Sequence, residues 1–183
     1  TSNPYRGERR AGTVGLALPG VNLRIVGKDG PVSVGEVGEI EVAGPNVFSG
    51  YWGMPEMTAE EFTEDGYFRT GDLAVQDSDG YVTIVGRSKD LIISGGYNIY
   101  PKEIEEVLDA MPGVAESAVI GVPHPDFGES PIAVVVAEPD ALLVDDELIA
   151  RCAERLARYK HPRAVIFVSA LPRNAMGKVQ KAE

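Results

Sequence analysis

Hydrophobic and polar residues alternate in short runs through the first part of the chain. The runs occupy residues 21–26, 39–42 and 81–85. Asp-Gly pairs at 29–30 and 79–80 lie next to these runs and favour tight turns between antiparallel strands. The alternation predicts antiparallel β structure, which we interpret as part of a β-barrel.

The hydrophobic period changes near Gly86, after which helical spacing occurs twice. One helical face is formed by apolar residues at Ile104, Val107, Leu108 and Met111, and a second by Leu148, Ile149, Cys152 and Leu156. The pair at 112–113 is Pro-Gly and ends the first predicted helix, whereas the two acids at 145–146 begin the second. Strands are predicted at the apolar runs 118–122, 132–137 and 165–168. This pattern indicates a small α+β domain in which helices pack on a sheet.

Composition narrows the class of protein. The 183 residues are 44% hydrophobic, and 28 acidic against 17 basic residues give a net charge of −11. That charge opposes nucleic-acid binding, so we predict no nucleic-acid partner. No apolar run reaches the roughly 18 residues that cross a bilayer, so we predict no stable membrane insertion and a cytoplasmic protein. The single cysteine, Cys152, fits a reducing compartment and is interpreted as a core residue.

The stretch GRSKDLIISGGYNIYPKEIE, residues 86–105, carries the densest candidate chemistry. Arg87 offers a planar fork of donors that suits phosphate oxygens, and Lys89 is an exposed charge beside it. Gly95 and Gly96 allow positive φ angles or the close approach of a ligand to the backbone, and Tyr97 borders that opening. The alternative interpretation is a strand, a turn and a helix that only connect two elements.

Two further motifs argue against that alternative. In YFRTGD, the carboxylate of Asp72 can accept hydrogen bonds from both hydroxyls of a ribose, although a Gly-Asp pair by itself is more often a turn. In LPRNAMGK, Lys178 follows a glycine on a flexible loop, where its ammonium can stabilise charge that develops when a carboxylate attacks a phosphate. An isolated Gly-Lys is otherwise a surface feature near a frayed terminus. The order and spacing of all these motifs together favour the functional interpretation.

In these motifs the chain resembles the C-terminal portion of an adenylate-forming enzyme, a superfamily of acyl-CoA synthetases, nonribosomal peptide adenylation domains and firefly luciferases. SGGYNIYPKEIE and VIGVPHPDFGE are similar to acyl-CoA synthetases, and TSNPY and LPRNAMGKVQK resemble malonyl-CoA synthetases most. The resemblance implies that residues 1–87 are the C-terminal part of a large N-terminal domain and belong to its β-barrel subdomain. It also implies that residues 88–183 form a mobile C-terminal domain with a hinge near Lys89.

The resemblance implies an acid–thiol ligase that works in two steps. ATP and a small carboxylic acid first give an acyl-adenylate and pyrophosphate, and coenzyme A then displaces AMP to give an acyl-CoA thioester. Mg²⁺ arrives with ATP, and no metal-binding cluster with zinc-like spacing is predicted in this chain. Malonate is the predicted acid, with medium-chain, fatty or aryl acids as alternatives. A non-catalytic module that binds a nucleotide, coenzyme A or a carrier protein is the second functional alternative.

The resemblance also implies residue roles. Asp72 corresponds to the ribose-binding aspartate, Arg87 to a nucleotide-contacting arginine and Lys178 to the lysine needed for adenylation. Lys89 corresponds to the hinge residue about which the small domain rotates. The residues implied to line the pantetheine channel after rotation are Gly95, Gly96 and Tyr97.

The chain lacks some parts that adenylation requires. It shows no Gly-rich phosphate loop of the Ser/Thr-Gly type before its first strand, and it begins with Thr1 rather than methionine. We therefore interpret it as a fragment that does not catalyse adenylation alone. Arg9 and Arg10 are candidate partners for a second carboxylate of malonate, although exposed loop arginines are the simpler interpretation.

Overall fold

A computed structural model describes residues 1–181 and shows two compact units, Thr1–Lys89 and Asp90–Glu183. Each unit contains its own sheet, and the described residues contain three α-helices. The prediction of an α+β fold is confirmed. The predicted domain boundary after residue 87, and the mobility of the second domain, stay predictions.

The first unit is an antiparallel sheet. Its elements in chain order are β1 (Asn22–Gly27), β2 (Gly30–Pro31), β3 (Gly38–Ala43), α1 (Pro55–Glu61), β4 (Phe68–Gln76) and β5 (Val82–Arg87). The strand order is β2-β1-β3-β4-β5, with every pair antiparallel. Within residues 1–181 this sheet is open, with β2 and β5 at its edges, and it does not close into a barrel.

Alternating apolar residues build the core of this first sheet. Ile25 of β1 lies opposite Ile40 of β3, and both are buried together with Ala74 of β4 and Val82 of β5. Their neighbours along each strand point to the other face, as the period of two predicts. This core fixes the register of β4 and β5, which carry two of the candidate site residues.

The second unit packs two helices on a sheet. Its elements are β6 (Ile92–Ser94), β7 (Tyr97–Ile99), α2 (Pro101–Asp109), β8 (Val114–His124), β9 (Gly128–Ala137), α3 (Asp145–Arg155) and β10 (Val165–Phe167). The strand β8 pairs along the whole of β9, whereas the other edge of β9 pairs with β6 and, in parallel, with β10. Both predicted helices are present, with proline at the first turn of α2 and three acids in the first turn of α3.

The core of the second unit lies between these helices and the sheet. Ile104 and Leu108 of α2 and Leu148 of α3 pack against Val119 of β8 and Val135 of β9. All five are buried, as the helical spacing of the sequence predicts.

Cys152 lies in α3 and is completely buried in this core, which confirms its interpretation as a core residue. Burial raises the pKa of its thiol to about 11. Because the thiolate is the reactive form, we expect the folded chain to react with a disulfide reagent at pH 8 at least about 100-fold more slowly than the unfolded chain. Absorbance of the released thiol, with and without guanidinium, measures both rates. Since the sequence has one cysteine, fast reaction in native buffer would contradict the burial directly.

Candidate active site

Asp72 and Arg87 come together in the first unit. They lie directly opposite each other on β4 and β5, and Arg87 Nε is 2.9 Å from Asp72 Oδ1. The Asp72 side chain is 24% exposed and that of Arg87 is 51% exposed, so a ligand can reach both. Two residues that the sequence predicts for nucleotide contacts therefore form one charged pair on one face of the sheet.

An irregular stretch of β4 presents the Asp72 carboxylate. Gly71 has a φ of +69°, which a residue with a side chain rarely adopts, and its N–H donates to Glu39 Oε1 at 3.1 Å. The Asp72 N–H donates to Thr70 Oγ1 at 3.1 Å, and Ser88 Oγ donates to the Gly71 carbonyl at 3.2 Å. The backbone on both sides of Asp72 is thus held by side chains, and among residues 1–181 the carboxylate has one ion-pair partner, Arg87.

The Asp72–Arg87 pair has the chemistry of a nucleotide contact. Among residues 1–181, neither side chain has a second ion-pair partner. A carboxylate accepts hydrogen bonds from vicinal hydroxyls, and a guanidinium donates to phosphate or ribose oxygens. Because an exposed ion pair contributes little to stability, a ligand can replace part of it at small cost.

A tight glycine turn marks the second candidate region. Gly95 and Gly96 join β6 to β7 with φ angles of +57° and +83°, as a two-residue hairpin turn requires. The Gly95 N–H donates to the Phe127 carbonyl at 2.8 Å, which fixes the turn against the start of β9. Tyr97 stacks on Tyr159 with ring centroids 4.6 Å apart and planes at 22°. The turn is therefore a defined, exposed backbone surface bordered by aromatic rings.

Lys178 lies on a hydrogen-bonded turn. A bridge between Arg173 and Val179 closes the turn, in which Gly177 has a φ of +78°. Asn174 holds the backbone of Lys178 on both sides: its Oδ1 accepts from the Lys178 N–H at 2.9 Å, and its own N–H donates to the Lys178 carbonyl at 2.9 Å. The Lys178 side chain is exposed and has no ion-pair partner among residues 1–181. The lysine is thus presented by a defined turn rather than by a frayed terminus.

The glycine turn and the Lys178 turn are anchored toward opposite ends of β8. Arg173, which closes the Lys178 turn, pairs with Glu116 near the start of β8. On the other side, Ser94 next to the glycine turn pairs with Gly128, which lies opposite His124, the last residue of β8. Glu116 and His124 are eight residues apart on one strand, a distance of roughly 26 Å at strand spacing. One ligand atom therefore cannot meet both turns at once.

Lys89 lies at the division between the two units. It is the last residue of the first unit and is exposed in a single 3₁₀ turn, Ser88–Asp90. The position is compatible with a pivot, because a few backbone angles in such a connection can absorb a large rotation. Its role as the hinge stays a prediction.

Arg10 is not the exposed loop arginine that the sequence suggests. Its guanidinium lies 2.9 Å from Glu8, 2.5 Å from Asp77 and 2.6 Å from Asp79, and it stacks over the Tyr81 ring at 4.2 Å. The pKa of the Arg10 guanidinium is raised by hydrogen bonds to Glu8 and Asp79. Because three carboxylates surround it, Arg10 connects the N-terminal segment to the β4–β5 turn and is not free to bind a substrate.

Residues 1–181 show neither a metal-binding cluster nor a membrane-spanning helix. In this range no group of three or more His, Cys, Asp or Glu side chains is placed to hold a metal ion. No helix in the same range is long and apolar enough to cross a membrane. The association of Mg²⁺ with ATP and a cytoplasmic location both stay predictions.

Two family models match the chain. The AMP-binding enzyme C-terminal domain matches residues 103–178, and the AMP-binding enzyme model matches residues 1–52. The chain belongs to the AMP-binding enzyme family. The order of the two matches agrees with the order of the two units, and the resemblance inferred from the motifs is confirmed.

Relatives in the AMP-binding family are similar to this protein over nearly the whole chain. A feruloyl-CoA synthase of an Amycolatopsis species is 49% identical and covers 95% of this chain, and the malonate–CoA ligase of Arabidopsis thaliana is 45% identical and covers 100%. The crystal structure of ATP-bound MatB from Rhodopseudomonas palustris is 56% identical, covers 100% of this chain and superimposes with a TM-score of 0.94. The chain spans 35%, 31% and 37% of their respective lengths, about a third of each.

The family matches do not test the residue roles. Lys178 is the last residue of the C-terminal match. The other candidates fall between the two matched segments, and they are Asp72, Arg87, Lys89, Gly95, Gly96 and Tyr97. Their functions therefore rest on the geometry described above and stay predictions.

Sequence reasoning missed the residues that hold the Lys178 turn. Asn174 stands inside LPRNAMGK, and an asparagine that caps a turn before glycine is a recognisable local signal. Glu116 and its pairing with Arg173 have no such signal, because the two residues are 57 positions apart. Glu116 can be identified as the partner of Arg173 only from the position of β8 in the fold.

Proposed function

We propose that the protein containing this chain is an ATP-dependent acid–CoA ligase. A carboxylate oxygen of the acid attacks the α-phosphorus of ATP, and pyrophosphate leaves. The sulfur of coenzyme A then attacks the acyl carbon, AMP leaves with the bonding electrons, and the thiol proton is released. The observation that carries the proposal is the separation of two candidate turns on one unit, since a two-step reaction needs two different surfaces.

The adenylation step uses Asp72, Arg87 and Lys178. Asp72 accepts hydrogen bonds from the ribose hydroxyls, and Arg87 beside it, at 2.9 Å, donates to oxygens of the nucleotide. Lys178 places a compact positive charge against the negative charge that grows on the α-phosphate as the carboxylate attacks. Mg²⁺ bound with ATP would supply positive charge against the other phosphates, and no residue of this chain is assigned to hold it.

The thioester step uses the glycine turn. Gly95 and Gly96 present bare backbone, and a Cβ added at Gly96 would meet no atom within 4 Å. This open surface accommodates the extended pantetheine arm of coenzyme A, with Tyr97 at its border. Rotation about Lys89 exchanges the Lys178 turn for the glycine turn, because one reaction centre cannot contact both.

Malonate is the acid that we propose. Support comes from the malonate–CoA ligase relative and from the resemblance of the TSNPY and LPRNAMGKVQK segments to malonyl-CoA synthetases. The feruloyl-CoA synthase relative, at 49% identity, keeps aryl acids as the alternative. Because Arg10 is already surrounded by three carboxylates, it is not available to bind a second malonate carboxylate, whereas Arg9 is exposed.

Acid-dependent exchange of radioactive pyrophosphate into ATP tests this function. The whole protein is assayed with malonate, octanoate and a benzoate, followed by detection of the acyl-CoA product. We expect the whole protein to catalyse exchange at a lower concentration of malonate than of octanoate or benzoate. We expect no exchange by the 183 residues alone. Exchange with only an aryl or fatty acid would contradict malonate as the substrate but would support the ligase activity. Binding of ATP or coenzyme A without exchange for any acid would favour the non-catalytic module.

A further inference from the structure

The Lys178 turn is fastened to the core by one arginine side chain. Arg173 Nη1 donates to the carbonyl of Gly177 at 2.7 Å, and Arg173 Nη2 pairs with Glu116 of β8. Gly177 is the residue immediately before Lys178. A single guanidinium therefore connects the backbone beside the lysine to a strand of the core.

Apolar packing does little to hold this turn. Residues 175–178 are all exposed, and the Met176 side chain is 76% exposed. A Cβ added at Gly177 would meet nothing within 4 Å. Inside the turn, Asn174 binds the backbone of Lys178, but these contacts join the turn only to itself. Leu171 is buried just before the turn, so apolar packing holds the chain that enters it, whereas the turn itself is attached to the unit by polar contacts.

A second contact fixes the chain after the turn. Lys181 Nζ lies 2.6 Å from Glu105 Oε1, and these side chains are only 21% and 17% exposed. Glu105 also accepts the N–H of Val119 in β8 at 2.7 Å. Because Glu105 serves both the terminal segment and the backbone of β8, replacing it would disturb more than the turn. Among residues 1–181 Glu116 has no ion-pair partner other than Arg173, so its substitution separates positioning from folding more cleanly.

We propose that the Arg173–Glu116 ion pair positions Lys178 for the adenylation step. Glu116 and Arg173 are thus positioning residues that act through the turn, and they do not touch the substrates. The inference rests on the proposed role of Lys178 in adenylation. It adds two residues, one of them in a β-strand far away in sequence, to the machinery of that step.

The expected effect is kinetic and selective. The two side chains are 43% and 31% exposed, so the pair contributes little to global stability. A displaced turn, however, lowers the fraction of molecules in which the ammonium reaches the phosphate. We expect Glu116→Gln to slow adenylation about 2- to 5-fold, the range set by the strength of exposed ion pairs. Thioester formation should keep its rate because it does not use Lys178.

Single-turnover kinetics of the whole protein test this inference. Adenylation is measured at saturating ATP and acid, and thioester formation is measured from supplied acyl-adenylate. Arg173→Gln should lower the adenylation rate more than Glu116→Gln does, because the Arg173 substitution also removes the contact to the Gly177 carbonyl. Adding Glu116→Gln to Arg173→Gln should change nothing further, since the partner is already absent. Glu106→Gln, an exposed carboxylate of α2 whose nearest ion-pair atom is 3.7 Å away on Lys102, is the control for charge.

A backbone measurement on the whole protein gives a readout that needs no catalysis. The ¹⁵N order parameter of Lys178 should fall in Glu116→Gln and stay unchanged in Glu106→Gln. Equal slowing of both half-reactions, additive effects in the double variant, or an unchanged order parameter would overturn the positioning role. If Lys178→Ala abolishes adenylation while Glu116→Gln matches the parent protein, only this inference fails. If Lys178→Ala leaves adenylation intact, the proposed function and this inference fail together.

Discussion

Lys178→Ala should reduce adenylation by about 100- to 1,000-fold while thioester formation from supplied acyl-adenylate keeps its rate. The magnitude is that of removing one preorganised group that stabilises charge in a transition state. Lys178 is exposed at the tip of a turn whose backbone is held by Asn174, so the truncation removes the ammonium without disturbing a core. Pyrophosphate exchange measures the first step, and release of acyl-CoA from the supplied adenylate measures the second.

Two variants on the same turn serve as controls for Lys178→Ala. Met176→Ala shortens an exposed neighbour that has no charge and should leave both steps unchanged. Lys178→Arg keeps the charge but spreads it over a larger planar group, so it should recover part of the adenylation rate. Equal loss of both steps in Lys178→Ala would count against the division of labour between the two turns.

Local signals in the sequence were sufficient for the helices of the second unit. The α3 helix begins at Asp145, where acids favour the positive end of a helix, and its apolar spacing places Leu148 and Cys152 in the core. By contrast, α1 (Pro55–Glu61) was not predicted, because it buries none of its residues and so has no apolar period to detect. Prediction from periodicity succeeds where an element contributes to a core and fails where it does not.

The strand β4 shows why the candidate site was only partly visible in the sequence. The sequence places Asp72 and Arg87 in order along the chain, but their contact depends on the register between β4 and β5. That register shifts between Leu73 and Ala74, next to Gly71 with its positive φ, so no regular alternation marks β4. The residue types of the motif are visible in the sequence, whereas the contact between Asp72 and Arg87 depends on how β4 pairs with β5.

The Lys178 turn combines short-range contacts with contacts to residues far away in sequence. The hydrogen bonds that Arg173 and Asn174 make inside the turn join residues four positions apart, and the motif LPRNAMGK contains these residues. Its attachment to β8 joins residues 57 positions apart, and its second attachment joins Lys181 to Glu105. The sequence therefore predicts the loop that presents Lys178 but not the distant residues that hold this loop in place.

Asp72→Ala should raise the KM for ATP about 10- to 100-fold, the second-largest effect that we expect. A charged acceptor that binds two ribose hydroxyls contributes more than a neutral hydrogen bond, and the truncation removes both contacts at once. The fold should tolerate the change, because Arg87, the ion-pair partner of Asp72, is 51% exposed and can be solvated. Initial rates of pyrophosphate exchange at varied ATP give the KM.

Modified nucleotides decide whether the effect of Asp72→Ala comes from the ribose contact. The parent protein should lose affinity for 2′-deoxy-ATP and 3′-deoxy-ATP, whereas Asp72→Ala should bind ATP and both analogues with similar weak affinity. Asp79→Asn, which removes a carboxylate from the same unit beside Arg10, should retain the parent preference for ATP. If Asp72→Ala still discriminates against the deoxynucleotides as strongly as the parent, the ribose is bound by other residues and the Asp72–Arg87 pair is only a cross-strand contact.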